Sequence, residues 1–588
     1  MMETSSPEQC EKGLKICPNA PKEEEEEELR KMGEVKEGPD SSSEAFQAIL
    51  SQVGEFGRWQ WRLFFITSIS SFVVAFPTIS TAFVAVTPEH WCSVPGLQGL
   101  NTTYDLRNIS IPWEDDGVGH GKYSSCRYYD RDWAALVASG ALDGDTLPDL
   151  PNNVSTKACH HWVYDHSIYQ TTAVEEWDLV CQDKHLASLM QSTYMAGMVF
   201  GSLVSEFSDK VGRRTQALFS LLVLMATSLA SAFAAHYTLF TILLFFMATS
   251  NMSCLLPVFI ILTESVGTTG RTIMCMMYHG GFSVGVMSLA GIAYLVRQWR
   301  FLQLCVFAPV TVLLIYYWVL PESPRWLLMQ GRHQEGLKIL SEAAKVNGGS
   351  LPQQQELDSL LVTINKERKQ SGPGKTTFLQ HINQFIKSFS TLLRTRNMRR
   401  RCLIMYFAWF NISMMYYGLV YSSENINASV YVLVLLSGAV EIPSFLIVIW
   451  TMKKMGRRLN FSLLCTGSGI ACLLIMAVPK DLVWMNMTLA TVGKFFNSSA
   501  FGVAYFYWAE LVPTGVRNMA MGTASICGKI GTVLTPFIVD FLGEIHYSVP
   551  STVFGLLSIT VGLLDLLLPE TGESRLPETI EEVEAMPR

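Results

Sequence analysis

One feature of the sequence constrains the fold more than any other: a set of landmarks recurs at nearly constant spacing. The offsets are 244, 246 and 248 residues, and the pairs are Asp209-Lys-Val-Gly-Arg-Arg214 with Lys453-Lys-Met-Gly-Arg-Arg458, Glu264/Arg271 with Glu510/Arg517, and Pro321-Glu322 with Pro569-Glu570. Each landmark lies where a long apolar segment meets a charged loop. The chain therefore contains two homologous halves. A duplicated membrane bundle is typical of transporters whose halves rock around a central site.

The composition and the apolar segments predict a membrane protein. Hydrophobic residues make up 49% of the chain and charged residues only 16%, whereas soluble domains carry about 25% charge. Twelve segments approach the roughly 20 residues that a helix needs to cross a bilayer. The predicted spans are 61–87, 187–207, 215–235, 238–263, 272–296, 299–320, 402–422, 429–451, 460–478, 482–508, 518–543 and 547–568.

The distribution of charge predicts the topology. Basic residues concentrate in loops around Arg213, Arg394–Arg401 and Arg457, which the positive-inside rule places in the cytosol together with both termini. Residues 1–45, with the acidic run Glu23–Glu28, are expected to form a disordered cytosolic tail. The remaining domains are an N-terminal bundle 46–320, a linker 321–401, a C-terminal bundle 402–568 and a tail 569–588. We expect short amphipathic helices in the linker, which could also serve as a regulatory platform.

A polar insert at residues 88–186 lies outside the cell by this topology. It contains Cys92, Cys126, Cys159 and Cys181, an even number that predicts two disulfides in an oxidising compartment. Four cysteines allow three connectivities, and the sequence does not select one. The insert also carries glycosylation sequons at Asn101, Asn108 and Asn153. A zinc site at Cys159-His160-His161 is not expected, because a disulfide explains Cys159, and no metal is predicted elsewhere.

The repeated basic loop predicts a latch on the cytosolic side. Gly212 permits a tight turn, and Asp209 can pair with an arginine. Such a charge cluster could hold the halves together inside and part when the carrier opens inward; alternatively, the loop only fixes topology. The predicted latch residues are Asp209, Arg213, Arg214, Glu264, Arg271, Arg457, Glu510 and Arg517.

Several of these motifs resemble those of the major facilitator superfamily. The segment 321–328, Pro-Glu-Ser-Pro-Arg-Trp-Leu-Leu, is similar to the sequence after the sixth helix in sugar carriers and in the organic cation/anion/carnitine transporter family. Residues 171–181, 509–518 and 568–571, with the large cysteine-bearing first loop, resemble the latter family specifically. The resemblance covers roughly 45–575. It implies an all-α fold of twelve transmembrane helices in two pseudo-symmetric six-helix bundles, the major facilitator fold.

Two positions depart from the superfamily pattern. Ser205 stands where the loop motif usually has glycine, and Lys453 stands where the second copy often has aspartate. The latch is therefore expected to be weaker in the C-terminal half.

Buried charge indicates the substrate site. An ionisable side chain at mid-membrane costs roughly 2.5–3.5 kcal/mol on insertion scales, so it is a functional candidate by default. Glu441, Lys494 and Lys529 lie well inside predicted spans eight, ten and eleven. Snorkelling suits span ends, and Lys529 lies too deep for it. Glu441 and Lys494 could form a purely structural ion pair, which would leave Lys529 uncompensated and open to an anionic group.

The resemblance refines this interpretation. Lys529 falls where cation-carrying members have an acid and anion- or carnitine-carrying members have a base. Lys494 matches carnitine members, and Glu441 resembles both cation and carnitine members. In contrast, the segment from Met277 to Leu302 is more similar in sequence to the cation-carrying members of the family. We give more weight to the charge at Lys529, because a substrate charge acts directly on it.

Aromatic residues in spans seven and ten are candidate walls of the site, although ordinary helix packing would also explain them. Aromatic faces hold quaternary ammonium groups, and the resemblance places Tyr416 at a pocket position. The candidates are Trp409, Phe410, Tyr416, Tyr417, Tyr505 and Tyr507. His279 in span five could line the site or be a hydrogen-bonded polar residue between helices.

The predicted function is polyspecific secondary transport of small organic ions across the plasma membrane, with organic anions or carnitine-like zwitterions preferred. The alternatives are an organic cation transporter of the monoamine or quaternary ammonium type, or a non-transporting receptor on a carrier fold. Gly374-Lys375-Thr376 lacks the earlier glycine of a phosphate loop, since residue 369 is lysine. No nucleotide, nucleic acid, cofactor or catalytic activity is therefore expected. The coupling ion and the oligomeric state are left open.

Overall fold

The computed structural model describes residues 42–97, 105–115, 121–139, 154–370, 389–390, 392–422, 429–479, 481–513, 516–571 and 580–585. Within them, long helices follow one another in the order of the predicted spans. They are α1 Arg58–Val84, α2 Lys184–Ser205, α3 Arg213–Ala232, α4 Tyr237–Glu264, α5 Thr268–Leu295, α6 Trp299–Val312, α7 Arg396–Tyr421, α8 Val430–Met455, α9 Arg458–Ala477, α10 Val483–Leu511, α11 Arg517–Ile545 and α12 Val549–Asp565. Leu313–Ile315 and Tyr316–Val319 continue α6 as a 3₁₀ turn and a helical turn.

Nine helices in the described part of the chain are long and apolar enough to cross a membrane. The other three are α2, α10 and α12, of which α12 has 17 residues. α1–α6 pack around one apolar core and α7–α12 around another. The predicted all-α fold with two six-helix halves is confirmed.

The insert between α1 and α2 folds into short antiparallel ribbons, which the sequence did not predict. Their strands are β1 His90–Cys92 with β6 Trp162–Tyr164, β2 Trp113–Asp115 with β3 Gly121–Tyr123, and β4 Arg127–Tyr129 with β5 Thr156–Ala158. Short helices at Arg107–Ser110, Trp133–Ala138 and Ala173–Glu176 and a 3₁₀ turn at Cys181–Asp183 complete it.

Two disulfides fasten this insert, as predicted, and the structure gives their connectivity. Cys92 is bonded to Cys159 and Cys126 to Cys181. Asn108 is exposed within its short helix, so its side chain is accessible for glycosylation. The glycosylation itself remains a prediction. The sequons at 101 and 153 lie outside the described residues.

The opposite end carries a layer of amphipathic helices, at Ser42–Val53, Pro324–Met329, His333–Asn347 and Gln354–Gln370. Apolar residues of the first helix, such as Phe46 and Leu50, share a buried cluster with Leu340 and Leu360 of the linker. The domain boundary predicted after residue 45 therefore falls inside a packed helix. A further helix, Ile580–Ala585, contacts α7 through the fully buried Val583. We call this the linker end of the bundle and the opposite one the loop end.

The two halves touch along α5 with α8 and along α2 with α11. At the loop end, Lys184 of α2 pairs with Glu544 of α11 at 2.8 Å, and the Ser188 hydroxyl donates to Asp540. Ser192 then donates to the Val533 carbonyl at 2.8 Å.

Both helices also pack against their own halves, at the loop end through Tyr237 with the Leu186 carbonyl and through Thr535 with the Met414 carbonyl. Thr249 of α4 donates to the Gly197 carbonyl of α2 at 3.1 Å, and Tyr406 of α7 bonds to Thr523 of α11 at 2.7 Å. The described polar contacts between α2 and α11 thus lie at the loop end. Toward the linker end, Gly522 of α11 is exposed, and an added Cβ there would meet nothing within 4 Å.

Candidate functional site

Glu441 of α8 is the hub of a buried polar cluster between the halves. It is 3% exposed, and its carboxylate accepts hydrogen bonds from the Tyr416 hydroxyl of α7 and, at 2.6 Å, from the Ser283 hydroxyl of α5. Ser283 belongs to the first half, so this cluster crosses the boundary between halves. Ser283 was not among the residues predicted from the sequence, although its position four residues after His279 places both on one face of α5.

Lys494 of α10 completes this cluster. Its ammonium lies 3.5 Å from the Glu441 carboxylate, with both side chains nearly fully buried. It also donates to the Tyr416 carbonyl at 2.9 Å and lies over the Tyr416 ring. The structure therefore contains the Glu441–Lys494 ion pair that the sequence analysis had left open, and the two charges offset each other.

Lys529 of α11 stands in different surroundings. It is half-buried and has no hydrogen bond or ion pair within the described ranges. The adjacent Gly528 lies against Ser413 of α7, and Val533, one turn toward the loop end, is the residue that meets α2.

The direction of Lys529 follows from helix geometry. Successive helical residues are about 100° apart, and the outward-facing Ile530 and Leu534 are 50% and 43% exposed. Lys529 lies on a different face from these two, between the side that contacts α7 and the side that contacts α2. Its side chain thus points toward the cleft between the halves, not toward lipid.

A group of aromatic rings begins at Tyr416, beside the Glu441–Lys494 pair. Tyr416 contacts Tyr417 with ring centroids 5.1 Å apart, and Trp409 contacts Tyr505 at 4.6 Å. Phe501, which sequence analysis missed, links the two pairs at 6.3 Å from Tyr416 and 5.3 Å from Tyr505. Its position four residues before Tyr505 on α10 was the available signal.

Other predicted wall residues differ in their placement. His279 lies near Phe259 and Phe445, with ring centroids 5.8 and 6.2 Å away, and its Nδ1 is 2.7 Å from the Cys275 carbonyl. Phe410 packs at the α7–α11 contact, where its carbonyl faces Gly531.

Tyr507 does not belong to this aromatic group. It is fully buried and donates to the Pro569 carbonyl at 2.8 Å, near the linker end. Two positions beyond Tyr505 on a helix, it necessarily faces another side of α10.

The repeated basic loop forms a charge cluster in the first half. Arg213 pairs with Asp209 at 2.7 Å and with Glu264 at 3.3 Å, and Glu264 also accepts from Ser323. Glu322 accepts backbone hydrogen bonds from Arg213 and Arg214. Burial raises the pKa of Glu322, although these hydrogen bonds act in the opposite direction.

The second half repeats this arrangement. Arg457 pairs with Glu510 at 3.2 Å, and Glu510 accepts from Thr571 at 2.6 Å. Glu570 accepts from the backbone of Arg457 and Arg458 at 2.8 and 3.1 Å. Each cluster closes within its own half in this state, so a latch between halves remains a prediction.

Two details of the predicted latch need correction. Arg271 donates to the Val266 carbonyl at 3.2 Å and does not pair with Glu264 in the structure, because Arg213 and Ser323 occupy that carboxylate. Arg517 has buried guanidinium nitrogens without a hydrogen-bond partner among the described residues. Sequence analysis also left Glu322 and Glu570 out of the latch, although their repeated Pro-Glu context was visible.

Comparisons with known proteins agree with this architecture. Residues 151–583 match the family described as "Sugar (and other) transporter". The chain is 34% identical to the "Organic cation transporter protein" of Drosophila melanogaster, covering 92% of this chain and 94% of that protein. It is 33% identical to "Solute carrier family 22 member 1" of Bos taurus, and the match covers 92% of this chain and 93% of that protein.

A carnitine carrier and a solved structure extend the comparison. The chain is 32% identical to "Organic cation/carnitine transporter 2" of Rattus norvegicus, and the match covers 92% of this chain and 94% of that protein. The inward-open structure of the xylose transporter XylE from E. coli superimposes with a TM-score of 0.56 at 12% identity, covering 90% of this chain and 99% of that one. By their names, these relatives are transporters and solute carriers, not enzymes. The chain is thus a multi-pass transporter of the major facilitator superfamily and belongs to its organic cation/anion/carnitine transporter family.

Proposed function

We propose that this transporter carries small organic anions or zwitterions, including carnitine-like compounds, across the plasma membrane by alternating access. The loop end faces the exterior, and the linker end, with both termini, faces the cytosol. Substrate binds between the halves near Lys529, and no nucleotide is consumed. The gradient of the substrate, the membrane potential or exchange against another solute drives the flux.

The state of Lys529 carries this proposal. Glu441, the carboxylate among the three buried charges, is already bound by Lys494, Tyr416 and Ser283. Lys529 then contributes one positive charge to the cleft without a protein partner in the described ranges. Because this ammonium is half-buried in the cleft and keeps access to solvent, a carboxylate or sulfonate on the substrate is a suitable counter-ion.

The aromatic group supports a zwitterion in particular. Phe501 and Tyr505 are in contact with ring centroids 5.3 Å apart, Tyr505 is 41% exposed, and cations bind over aromatic faces of this kind. A molecule with an anionic group at Lys529 could place a quaternary ammonium against these rings. A zwitterion also crosses with little work against the membrane potential, whereas uptake of each net negative charge costs about 2.3 kcal/mol per 100 mV.

The decisive experiment compares substrates in cells that express Lys529 variants. Lys529→Gln and Lys529→Asp should lose at least tenfold of carnitine or organic-anion uptake, because a lost charge pair of about 1.4 kcal/mol already equals a factor of ten. Lys338→Asp, on the exposed linker helix, makes the same change far from the cleft and should transport normally. Normal uptake by a surface-expressed Lys529→Asp variant would refute the anchor role.

A second candidate, organic cation transport, rests on a separate observation. The names of the Drosophila and rat relatives refer to organic cations, and Glu441 is a buried acid beside aromatic rings. Labelled tetraethylammonium distinguishes the two candidates, since a cation carrier takes it up in a saturable way and an anion carrier does not. Trans-stimulation of uptake by substrate on the other side separates either carrier from a receptor.

A further inference from the structure

Asp565, the last residue of α12, is a buried acid that the proposed substrate site does not use. Its exposed fraction is 0%, and neither carboxyl oxygen has a hydrogen-bond partner within the described part of the chain. The next two residues, Leu566 and Leu567, are 43% and 52% exposed. Such exposed leucines indicate that this level of the helix still lies at apolar depth.

Charged and titratable groups approach Asp565 from several helices. Arg458, at the start of α9, and Glu570, beyond α12, are within electrostatic reach of its carboxyl group. Cys465 of α9 and Tyr507 of α10 are also close enough to interact electrostatically with the Asp565 carboxyl group. Arg401 of α7 interacts electrostatically with Tyr507.

Arg458 is available as a partner. Its Nε is buried without a hydrogen-bond partner among the described residues, and its Nη1 donates to the Leu568 carbonyl over a long 3.4 Å. Its backbone N–H holds Glu570, which belongs to the charge cluster at the linker end.

An ionised carboxylate without hydrogen bonds is very unfavourable in a protein interior, and such a group takes up a proton instead. We propose that Asp565 is a proton-binding site and that the proton is a second ligand of this transporter. In the state described here, in which α2 and α11 are in polar contact at the loop end, Asp565 holds the proton as a neutral carboxylic acid.

Release of that proton affects the linker end. The O–H bond of Asp565 breaks, the proton leaves to solvent at the linker end, and the carboxylate that remains pairs with Arg458. Arg458 then turns away from the Leu568 carbonyl, close to the Glu570 contacts that close the second charge cluster. Proton occupancy and the conformation of this cluster are therefore linked. The inference requires a transporter but no particular substrate.

Infrared spectroscopy of the full-length protein in liposomes tests the site without any substrate. At neutral pH, the wild-type protein should show the stretching band of a protonated carboxyl group that Asp565→Asn lacks. Asp481→Asn, at an exposed aspartate before α10, should leave the spectrum unchanged. Should Asp565→Asn fail to fold, Asp565→Glu keeps the carboxyl group and should shift the band. A wild-type band unaffected by either variant overturns the proposal.

Transport measurements test the linkage. Exchange of labelled carnitine by the reconstituted wild-type protein should depend on the pH at the linker end, by up to about tenfold per pH unit for one site. Asp565→Asn should exchange carnitine at a rate that is flat over the same pH range. A variant that keeps the wild-type pH profile overturns the proposal. Absence of carnitine exchange in every protein would count against the proposed substrate, and the infrared band then decides on Asp565.

Discussion

Lys494 and Glu441 form an ion pair 3.5 Å apart in which the two side chains are only 2% and 4% exposed. They come from α10 and α8, and the hydroxyls of Tyr416 and Ser283 complete the hydrogen bonding of the carboxylate. This pair is a neutral couple, whereas the half-buried Lys529 has no ion-pair partner among the described residues. The selectivity proposed above depends on that difference.

Removal of one member of this pair should destabilise the protein more than removal of both. Lys494→Gln leaves the Glu441 carboxylate buried without its counter-charge, which costs about 3–5 kcal/mol. The double variant Lys494→Gln/Glu441→Gln should recover most of this loss, because no net charge remains buried. Unfolding midpoints of the purified proteins measure both effects. Equal loss in the single and double variants would show that packing, not charge, stabilises this cluster.

Two glycines at equivalent positions of the repeat should be intolerant of a side chain. Gly212 and Gly456 have φ values of +109° and +76°, and an added Cβ would lie 2.6 Å and 2.8 Å from the carboxylates of Glu322 and Glu570. Alanine at either position combines backbone strain of about 1–2 kcal/mol with displacement of that carboxylate. We expect lower melting temperatures and slower transport for Gly212→Ala and Gly456→Ala. Gly291→Ala, where an added Cβ meets nothing within 4 Å, is the control and should be neutral.

The sequence predicted the repeat, the fold and the positions of the spans, because each leaves a local signature of hydropathy or charge. It was less successful at helix ends. Span seven was predicted from residue 402, whereas α7 begins at Arg396, since hydropathy marks apolar depth and not the start of hydrogen bonding. The helix at Ser42–Val53 was missed for a related reason: its apolar face is buried by linker helices about 300 residues away.

The individual charged residues of the site were predictable from the sequence, but the contacts between them were not. Glu441, Lys494 and Lys529 were identifiable because charge is rare at membrane depth. Which two of them pair depends on how α8, α10 and α11 pack, and one sequence contains no direct record of that packing. Ser283 illustrates the limit, since a serine in a transmembrane helix is unremarkable until the opposite half places a carboxylate beside it.

The C-terminal helix should stabilise the start of α7. Glu584 accepts backbone hydrogen bonds from Asn397 and Met398 at 2.8 and 3.0 Å, and a capping carboxylate of this kind contributes about 1 kcal/mol. Glu584→Ala should lower the unfolding free energy by that order. Glu581→Ala, an exposed position of the same helix, should have a smaller effect.

The contribution of Glu584 should also depend on pH. Burial tends to raise its pKa, but hydrogen bonds from Thr395, Met398 and Asn397 outweigh this and hold the pKa below the ordinary value of 4.5. A depressed pKa in the folded state means that the stabilisation is complete above the ordinary value and lost as the pH falls through the folded value. Melting curves of wild type and Glu584→Ala should therefore differ at neutral pH and converge in acid. A constant difference at all pH values would contradict the role of the charge.

A covalent link across the loop end should arrest transport. Ser188 of α2 and Asp540 of α11 are in direct hydrogen-bond contact, and alternating access requires these two helices to separate there when the loop end opens. In the double variant Ser188→Cys/Asp540→Cys, oxidation should join the two helices, keep the loop end closed and abolish uptake, which a reductant should restore. The single variants Ser188→Cys and Asp540→Cys control for loss of the polar contact and should be insensitive to oxidant. Uptake that persists after complete cross-linking would show that α2 and α11 do not part during transport.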